Sequence, residues 1–439
     1  MNRVFEIFWR LAIITLPWQT RWFSDASLAG WPWEQGRVSV YLSWIFIIAT
    51  IVIGWVGKKV TGYRLQVTGN RELRSYALFI LIFLSFFTTA SRVATAQWWI
   101  QVLLLTVFAW TLIRANVTSR EIGTWFILSL LPHVALGFWQ FAAQNVYAIQ
   151  WLGISAQDPR SLGVSVVEFA DQRLLRMYGG FPHPNIFGGW AALGLILSLR
   201  QALFAESKRR ALCATVSSSA IAIALLLTYS RSAWIAAVIG IVVLVVFHLR
   251  SKTVSQFFIV AFAATILVTA IVGFSQREAL FARIHPTGRL EVKSIDAHAQ
   301  SLRDGWKLFR LHPLFGVGPN AELVAENTRT RKHENTKTRE PIEPPHNAYL
   351  LALVDLGIVG MLLFVWIVAS IWQLSARGRS LKPIYYLLST NSHFLFFVAV
   401  LSIYDHYLWS YWSGQALVLL TILVAWSPQK QPPEEDSMA

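Results

Sequence analysis

The chain is poor in cysteine, in charge and in nucleotide-binding loops. One cysteine, Cys213, stands among 439 residues. That excludes an internal disulfide framework and any metal site built on cysteine thiolates. Charged residues make up 14% of the sequence, whereas soluble domains carry about a quarter. No GxxxxGK[ST] loop, no GxGxxG after a strand and no HExxH motif occurs, so neither a nucleotide cradle nor a zinc-hydrolase helix is on offer. The reading from these gaps is a protein with no cofactor and no metal. Repeats of 20–50 residues are lacking too, and no low-complexity linker splits the chain.

What fills the sequence is hydrocarbon. It is 55% hydrophobic with a mean hydropathy of +0.48. Runs such as "YLSWIFIIATIVIGWV" (41–56) and "SAWIAAVIGIVVLVVF" (232–247) approach the ~20 residues that carry a helix across a bilayer. Similar runs recur along nearly the whole chain, and barrel-type alternating segments do not. The expected fold is all-α, a polytopic integral membrane protein of about twelve spans. They fall near 4–19, 39–57, 76–91, 96–113, 122–144, 184–203, 210–228, 232–249, 256–274, 347–373, 383–402 and 408–426. The first run holds Glu6 and Arg10 and lacks a small-residue cleavage site, so it reads as a retained span. Twenty-one tryptophans suit many water–lipid boundaries. The formal charge of +15 points to basic cytoplasmic loops and anionic membrane lipid, not to nucleic acid.

Lys and Arg in the short loops set the orientation. With the N-terminus inside, Lys58, Lys59, Arg64, Arg71 and Arg74 fall on the cytoplasmic side, as do Lys208, Arg209 and Arg210. Both long hydrophilic segments, about 145–183 and 275–346, then lie outside. So do the tight corners "TYSRSAW" (228–234) and "YDHYLW" (404–409). The expected organisation is N-terminal transmembrane helices over 1–145, a core over 146–428 that includes the outer loop 275–346, and a disordered cytoplasmic tail over 429–439.

Four outer elements carry groups capable of chemistry. "PPHNAYLLALVDLGIVG" (344–360) puts His346 and Asn347 at the mouth of an apolar span. If His346 starts a helix, Gly357 and Gly360 fall within roughly 20–40° of its face at ~100° per residue. That bare strip suits a close helix approach or a groove for a lipid tail, beneath either a working or a capping histidine. Asp355, nine residues on, faces away and reads as a structural carboxylate. In "RLLRMYGGFPHPNIFGGW" (173–190), Arg173 and Arg176 precede a Gly-Gly turn. His183 and Asn185 then open a span, to orient a substrate or to cap the helix. Arg231 sits in a corner with Thr228, Ser230 and Ser232, as an anion site would want. Asp405 and His406 form an acid–imidazole pair at another corner. In the long loop, "HPLFGVGPN" (312–320) reads as a helix stop and turn, and Arg283, Arg289, Lys293 and Arg303 are further cations for phosphate.

These residues resemble the bacterial O-antigen ligase and polymerase superfamily. "His346-Asn347", nine residues and "Gly357-x-x-Gly360" match the H[NSQ]-x9-G-x-x-G pattern of O-antigen ligases, and "HPN", "TYSRSAW" and "HPLFGVG" resemble its other signatures. The resemblance covers about the C-terminal two-thirds. It implies a C-type glycosyltransferase-like fold in the bacterial cytoplasmic (inner) membrane, with its site on the extracytoplasmic side. It implies a polyprenyl-diphosphate-linked glycan donor and a lipid, glycan or protein acceptor. The implied reaction is metal-independent and inverting, with His346 as base and Arg231 and Arg176 on the diphosphate. One departure stands out. The family's usual arginine about fifteen residues before the proline of "HPLFGVG" is His298 here, with Arg289 and Arg303 on either side. A polymerase of lipid-linked repeat units and a protein O-oligosaccharyltransferase share the donor motifs, and a secondary transporter is the rival outside the family.

Overall fold

A computed structural model of the chain describes residues 3–24, 34–57, 71–169, 172–250, 254–285, 289–333, 343–377 and 392–427. The N-terminal part of the expected span 383–402 and the expected tail 429–439 lie outside the described residues.

The protein is an α-helical membrane bundle with two small antiparallel hairpins. Along the chain run α1 (Arg3–Thr15), hairpin β1–β2 (Arg21–Phe23, Ser39–Tyr41), α2 (Leu42–Val56), α3 (Arg71–Thr88), α4 (Arg92–Arg114) and α5 (Ser119–Ala143). Hairpin β3–β4 (Val166–Phe169, Gln172–Leu175) precedes α6 (Pro184–Leu203), α7 (Lys208–Leu227), α8 (Arg231–Arg250) and α9 (Gln256–Ser275). The segment between α9 and the next long apolar helix folds as α10 (Arg277–Ile284), α11 (Arg289–Leu311) and α12 (Glu322–His333). Helix α13 (Ala348–Arg377), α14 (Ser392–Tyr404), α15 (Tyr407–Ser410) and α16 (Trp412–Trp426) complete it.

Among the described residues, seven helices are long and apolar enough to cross a membrane, and four shorter helices are apolar. Burial separates the centre from the rim. In α6, 94% of the apolar window is covered by protein, against 17% in α9. A central helix can be apolar on all sides because protein surrounds it, whereas α9 presents its side chains outward, as a lipid-facing helix does. Trp190 of α6 stacks on Phe126 of α5 at 5.1 Å and donates its indole N–H to the Ser413 carbonyl. The two contacts tie three helices around one side chain.

Helix α13 departs from a simple rod. Thirty residues make ~45 Å of helix, longer than the ~30 Å hydrocarbon layer, and the backbone breaks at Gly357 (φ 65°, ψ −177°). Such a break frees backbone groups that lipid cannot satisfy. Here the turn after α11 satisfies them. Ile358 and Val359 donate N–H to the Pro313 and Leu314 carbonyls, and Val317 and Gly318 donate to those of Val354 and Asp355. A β-carbon on Gly357 would lie 2.4 Å from the Leu314 backbone. The glycine is there so that two backbones can touch.

This changes the meaning of the glycine strip. Helix α13 starts at Ala348, so His346 precedes it, and the break rotates everything beyond Gly357. His346 therefore does not share a face with Gly357 and Gly360. Gly357 is filled by the 312–318 turn, and Gly360 faces Leu81 of α3. The expected lipid groove along these glycines is replaced by packed protein; only the close approach expected of small residues is found.

Candidate functional site

The polar groups from corners distant in sequence meet at one end of the bundle. The cause is local in each case. His183 caps α6, its ring Nδ1 accepting from the Asn185 N–H at 3.1 Å, while Nε2 pairs with Ser165 Oγ at 2.8 Å. Pro184 in the first turn lacks an N–H that would go unpaired there. Asn185 is thereby released from capping, and its side chain bridges. Its Oδ1 accepts from Arg176 at 2.6 Å, and its Nδ2 donates to Asp405 Oδ2 at 3.0 Å. Arg176 is buried and also donates Nε–H to the Thr228 carbonyl at 2.7 Å, which ties the third corner in.

Asp405 turns its other oxygen toward His346. Oδ1 accepts the His406 N–H at 2.9 Å and lies 3.8 Å from His346 Nδ1. The opposite nitrogen of that ring, Nε2, meets Glu343 Oε2 at 3.2 Å. Hydrogen bonds thus join Arg176, Asn185 and Asp405 on one side and His346 and Glu343 on the other, with a 3.8 Å ion-pair contact between Asp405 and His346. Two more imidazoles flank it. His298 of α11 stacks on His346 with ring centres 3.7 Å apart and planes 11° from parallel, and His406 meets it edge-on at 5.1 Å. Helix α11 can come this close because Gly305 faces Pro345 and because Ser301 Oγ accepts the His346 backbone N–H.

The electrostatics divide the histidines. Burial opposes a charge on His346, but Asp405 and Glu343 outweigh it and raise the imidazole to about 9. Burial, reinforced by the His346 cation, lowers His406 to about 3 and His298 to about 4. Burial and the Arg176 charge lower His183 to about 3. Burial works against ionised Asp405, yet the facing histidines hold its carboxyl well below the usual carboxylate range. One histidine in the group is a cation and three are neutral.

Arg231 opens α8 beside this group and contributes to lowering His298. Its guanidinium reaches the carbonyl of Arg283, and buried Arg283 donates Nε–H to the Tyr229 carbonyl at 2.9 Å. Arg283 thus lies beside the Arg231 corner. Arg289 and Arg303 do not join the cluster. Both are exposed on α11, and Arg303 bonds Gln300 of its own helix. At the family's arginine position, His298 itself is the residue that reaches His346. Asn347 caps α13 through the Leu350 N–H and holds α14 through the Ile403 carbonyl, so its role is to position. His346, Asp405 and His406 present ligand atoms within 4.8 Å of one another, the set among the described residues that could hold a metal ion. Glu343 and Ser410 already engage one nitrogen on each of the two rings.

Glu343 was not singled out in the sequence. It borders the charged stretch "ENTRTRKHENTKTRE" (326–340), which reads from sequence as a disordered or lid segment. Residues 326–333 are instead helical in α12, and 334–340 lie outside the described residues. The signal was there in its spacing: Pro344 and Pro345 hold the chain extended between Glu343 and the histidine three residues on.

With this geometry in place, comparison with known families is informative. Residues 216–365 match the family model described as O-antigen ligase. That stretch runs from α7 through the Arg231 corner, the outer helices and His346 into α13 beyond Gly360. Through this segment, about a third of the chain, the protein is similar to the O-antigen ligase family, and that similarity together with its long apolar helices supports an integral membrane protein with a ligase- or polymerase-like function. A comparison with curated proteins gives no match.

Proposed function

We propose that the protein transfers a glycan from a polyprenyl-diphosphate donor to an acceptor hydroxyl at the outer face of the bacterial cytoplasmic membrane, as an O-antigen ligase-like enzyme. The observation that supports this reading is the chain of contacts in which hydrogen bonds join Arg176, Asn185 and Asp405, and Asp405 lies 3.8 Å from His346 Nδ1 as an ion-pair neighbour. It joins a phosphate-binding cation to a base, the two functions that this displacement needs.

The acceptor oxygen attacks the anomeric carbon as the bond to the diphosphate breaks, and the diphosphate leaves with the electron pair. Arg176, Arg231 and its neighbour Arg283 are the cations that stabilise the leaving group in this reading. His346 takes the hydroxyl proton, and Asp405 fixes its ring through Nδ1. Attack from the face opposite the leaving group inverts the anomeric centre, and the arginines supply the charge a metal would otherwise bring. The donor's tail stays in the bilayer beside the bundle. Gly357 and Gly360 form no channel for it, so the tail enters along the lipid-facing surface.

The test is direct. Purified protein in nanodiscs receives tagged polyprenyl-diphosphate glycan together with membranes of the producing cells. Label passing to a lipid or glycan acceptor of the envelope supports a ligase. Growth of the label on its own carrier assigns a polymerase, and labelled protein assigns a protein O-oligosaccharyltransferase. Solute uptake into proteoliposomes with no transfer overturns the reading.

A further inference from the structure

Helix α11 is apolar over a wider arc than its protein neighbours cover. Gly305 faces Pro345, and the buried Ser301, Leu308 and Phe309 fall within roughly 60° of it at ~100° per residue. Ile295, Leu302 and Trp306 follow at roughly 60–100° on one side. All three are exposed, Trp306 at 50%. Only beyond them, at roughly 160–200°, come the charged Asp296, Arg303 and Lys307. An uncovered apolar strip thus separates the packed face from the charged one.

The strip continues past the helix end. Leu311, Leu314 and Phe315 are 58%, 56% and 38% exposed. Hydrogen bonds fix the level at which they sit. Pro313 and Leu314 accept from the Ile358 and Val359 N–H groups of α13, and the Phe315 carbonyl accepts from Thr88 Oγ1 of α3 at 3.3 Å. Both helices are apolar there, over Ala348–Ala369 and Tyr76–Thr88. Their own exposed side chains include Leu362 and Val365 on α13 and Phe83 and Phe87 on α3. The 311–315 corner is therefore continuous with two apolar faces of the bundle.

We infer that the strip of α11 and the 311–315 corner are seated in the membrane, and that their partner is the acyl hydrocarbon of the leaflet at this end of the bundle. The corner enters the hydrocarbon alongside α3 and α13. Trp306 marks the boundary with water, where indole settles, and the side with Arg303 and Lys307 stays wet. A segment that reads in sequence as a hydrophilic loop is thus in part an interfacial helix with a lipid-inserted end. This inference does not depend on the transfer reaction proposed above. It does bear on where the polar cluster stands: Leu302 follows His298 by one helical turn, so lipid comes within a turn of the His298–His346 stack.

The experiment uses the full chain with Cys213→Ser in phosphatidylcholine nanodiscs. Leu314→Cys carries a polarity-sensitive fluorophore, with Leu362→Cys as the lipid-facing reference and Lys307→Cys as the water-facing one. The Leu314 label is expected to emit to the blue, as the Leu362 label does, and to resist aqueous iodide. Phospholipid bearing a nitroxide on its acyl chain should dim it by about twofold or more. The Lys307 label should respond the other way, to iodide and not to the nitroxide. A Leu314 label that iodide quenches as strongly as the Lys307 label overturns the proposal, because water then covers the corner. A blue-shifted label that the nitroxide leaves bright overturns it too, because protein then covers the corner. Phe315→Cys reads the same corner where Leu314→Cys fails to fold, with the same outcomes deciding.

Discussion

Asp355 and Asp405 are both buried carboxylates in or beside apolar helices, yet they serve different regions. Asp355 accepts from Trp409 Nε1 at 2.7 Å and from the Asn320 N–H at 3.2 Å, inside the clamp made by the 312–318 turn and the broken helix α13. Its neighbours are indole, backbone and the carboxyl of Glu322. Asp405 accepts from Asn185, whose other end holds an arginine, and faces an imidazole. Burial is the same, 0% and 4% exposed. What differs is whether the partner can exchange a proton or hold an anion. Clamp and candidate reaction centre are thus built side by side from the same residue types, and substitutions should separate them.

The largest effect is expected at His346. His346→Ala removes the base, and transfer should fall by about a thousandfold. Its thermal midpoint should stay within a few degrees of wild type, because the side chain lies outside the hydrophobic core. A variant retaining a tenth of wild-type transfer would move the chemistry away from this cluster. Asp405→Asn should come next, with about a hundredfold loss. The pH profile gives the sign. Burial resists protonation of His346, and Asp405 and Glu343 raise it to about 9, so transfer should rise with pH toward that value as the imidazole loses its proton. With one carboxylate gone, the rising limb should move toward neutral pH while the plateau drops. A limb that stays in place would mean that Asp405 does not hold the ring.

Gly357→Ala tests the clamp. The positive φ is unfavourable for a side chain, and the added carbon would overlap the Leu314 backbone. A cost of about 3 kcal/mol or more in stability is expected, read as a lower thermal midpoint and less folded protein. The fraction that folds should keep the wild-type donor KM. A raised KM with an unchanged midpoint would restore the lipid groove that the sequence pattern first suggested.

That suggestion shows where sequence reading succeeds and where it stops. The convergence of 183–185, 228–234, 346 and 405–406 on one end of the bundle follows from the distribution of Lys and Arg, because every corner falls on the same side once the loops are oriented. The buried, structural character of Asp355 also follows, since a carboxylate within an apolar run needs local partners. The break at Gly357 does not. The apolar run is uninterrupted, and the groups that satisfy the break come from 312–318, some forty residues away. Arg289 and Arg303 looked equal to Arg283 in sequence, but only the fold decides which cations face inward. His298 entered only as a departure from a family pattern, and its stack on His346 depends on how α11 lies against the start of α13.

The smallest effect is expected at Asp355, and its sign carries information. Burial raises the Glu322 carboxyl to about 7, with Asp355 beside it. A carboxyl raised in the folded state binds more protons than the unfolded chain between its ordinary value near 4.5 and about 7. The fold therefore loses stability as the pH climbs through that window. Asp355→Asn leaves an amide oxygen for Trp409 and the Asn320 N–H and places an N–H where it can donate to Glu322. That N–H favours the ionised Glu322 carboxylate and so opposes the effect of burial. The variant should lose less stability than wild type between pH 5 and pH 7, a difference of about 1 kcal/mol, and should transfer glycan at a rate within twofold of wild type. A hundredfold loss of transfer at an unchanged thermal midpoint would place Asp355 with Asp405 in the reaction and erase the distinction between the two regions.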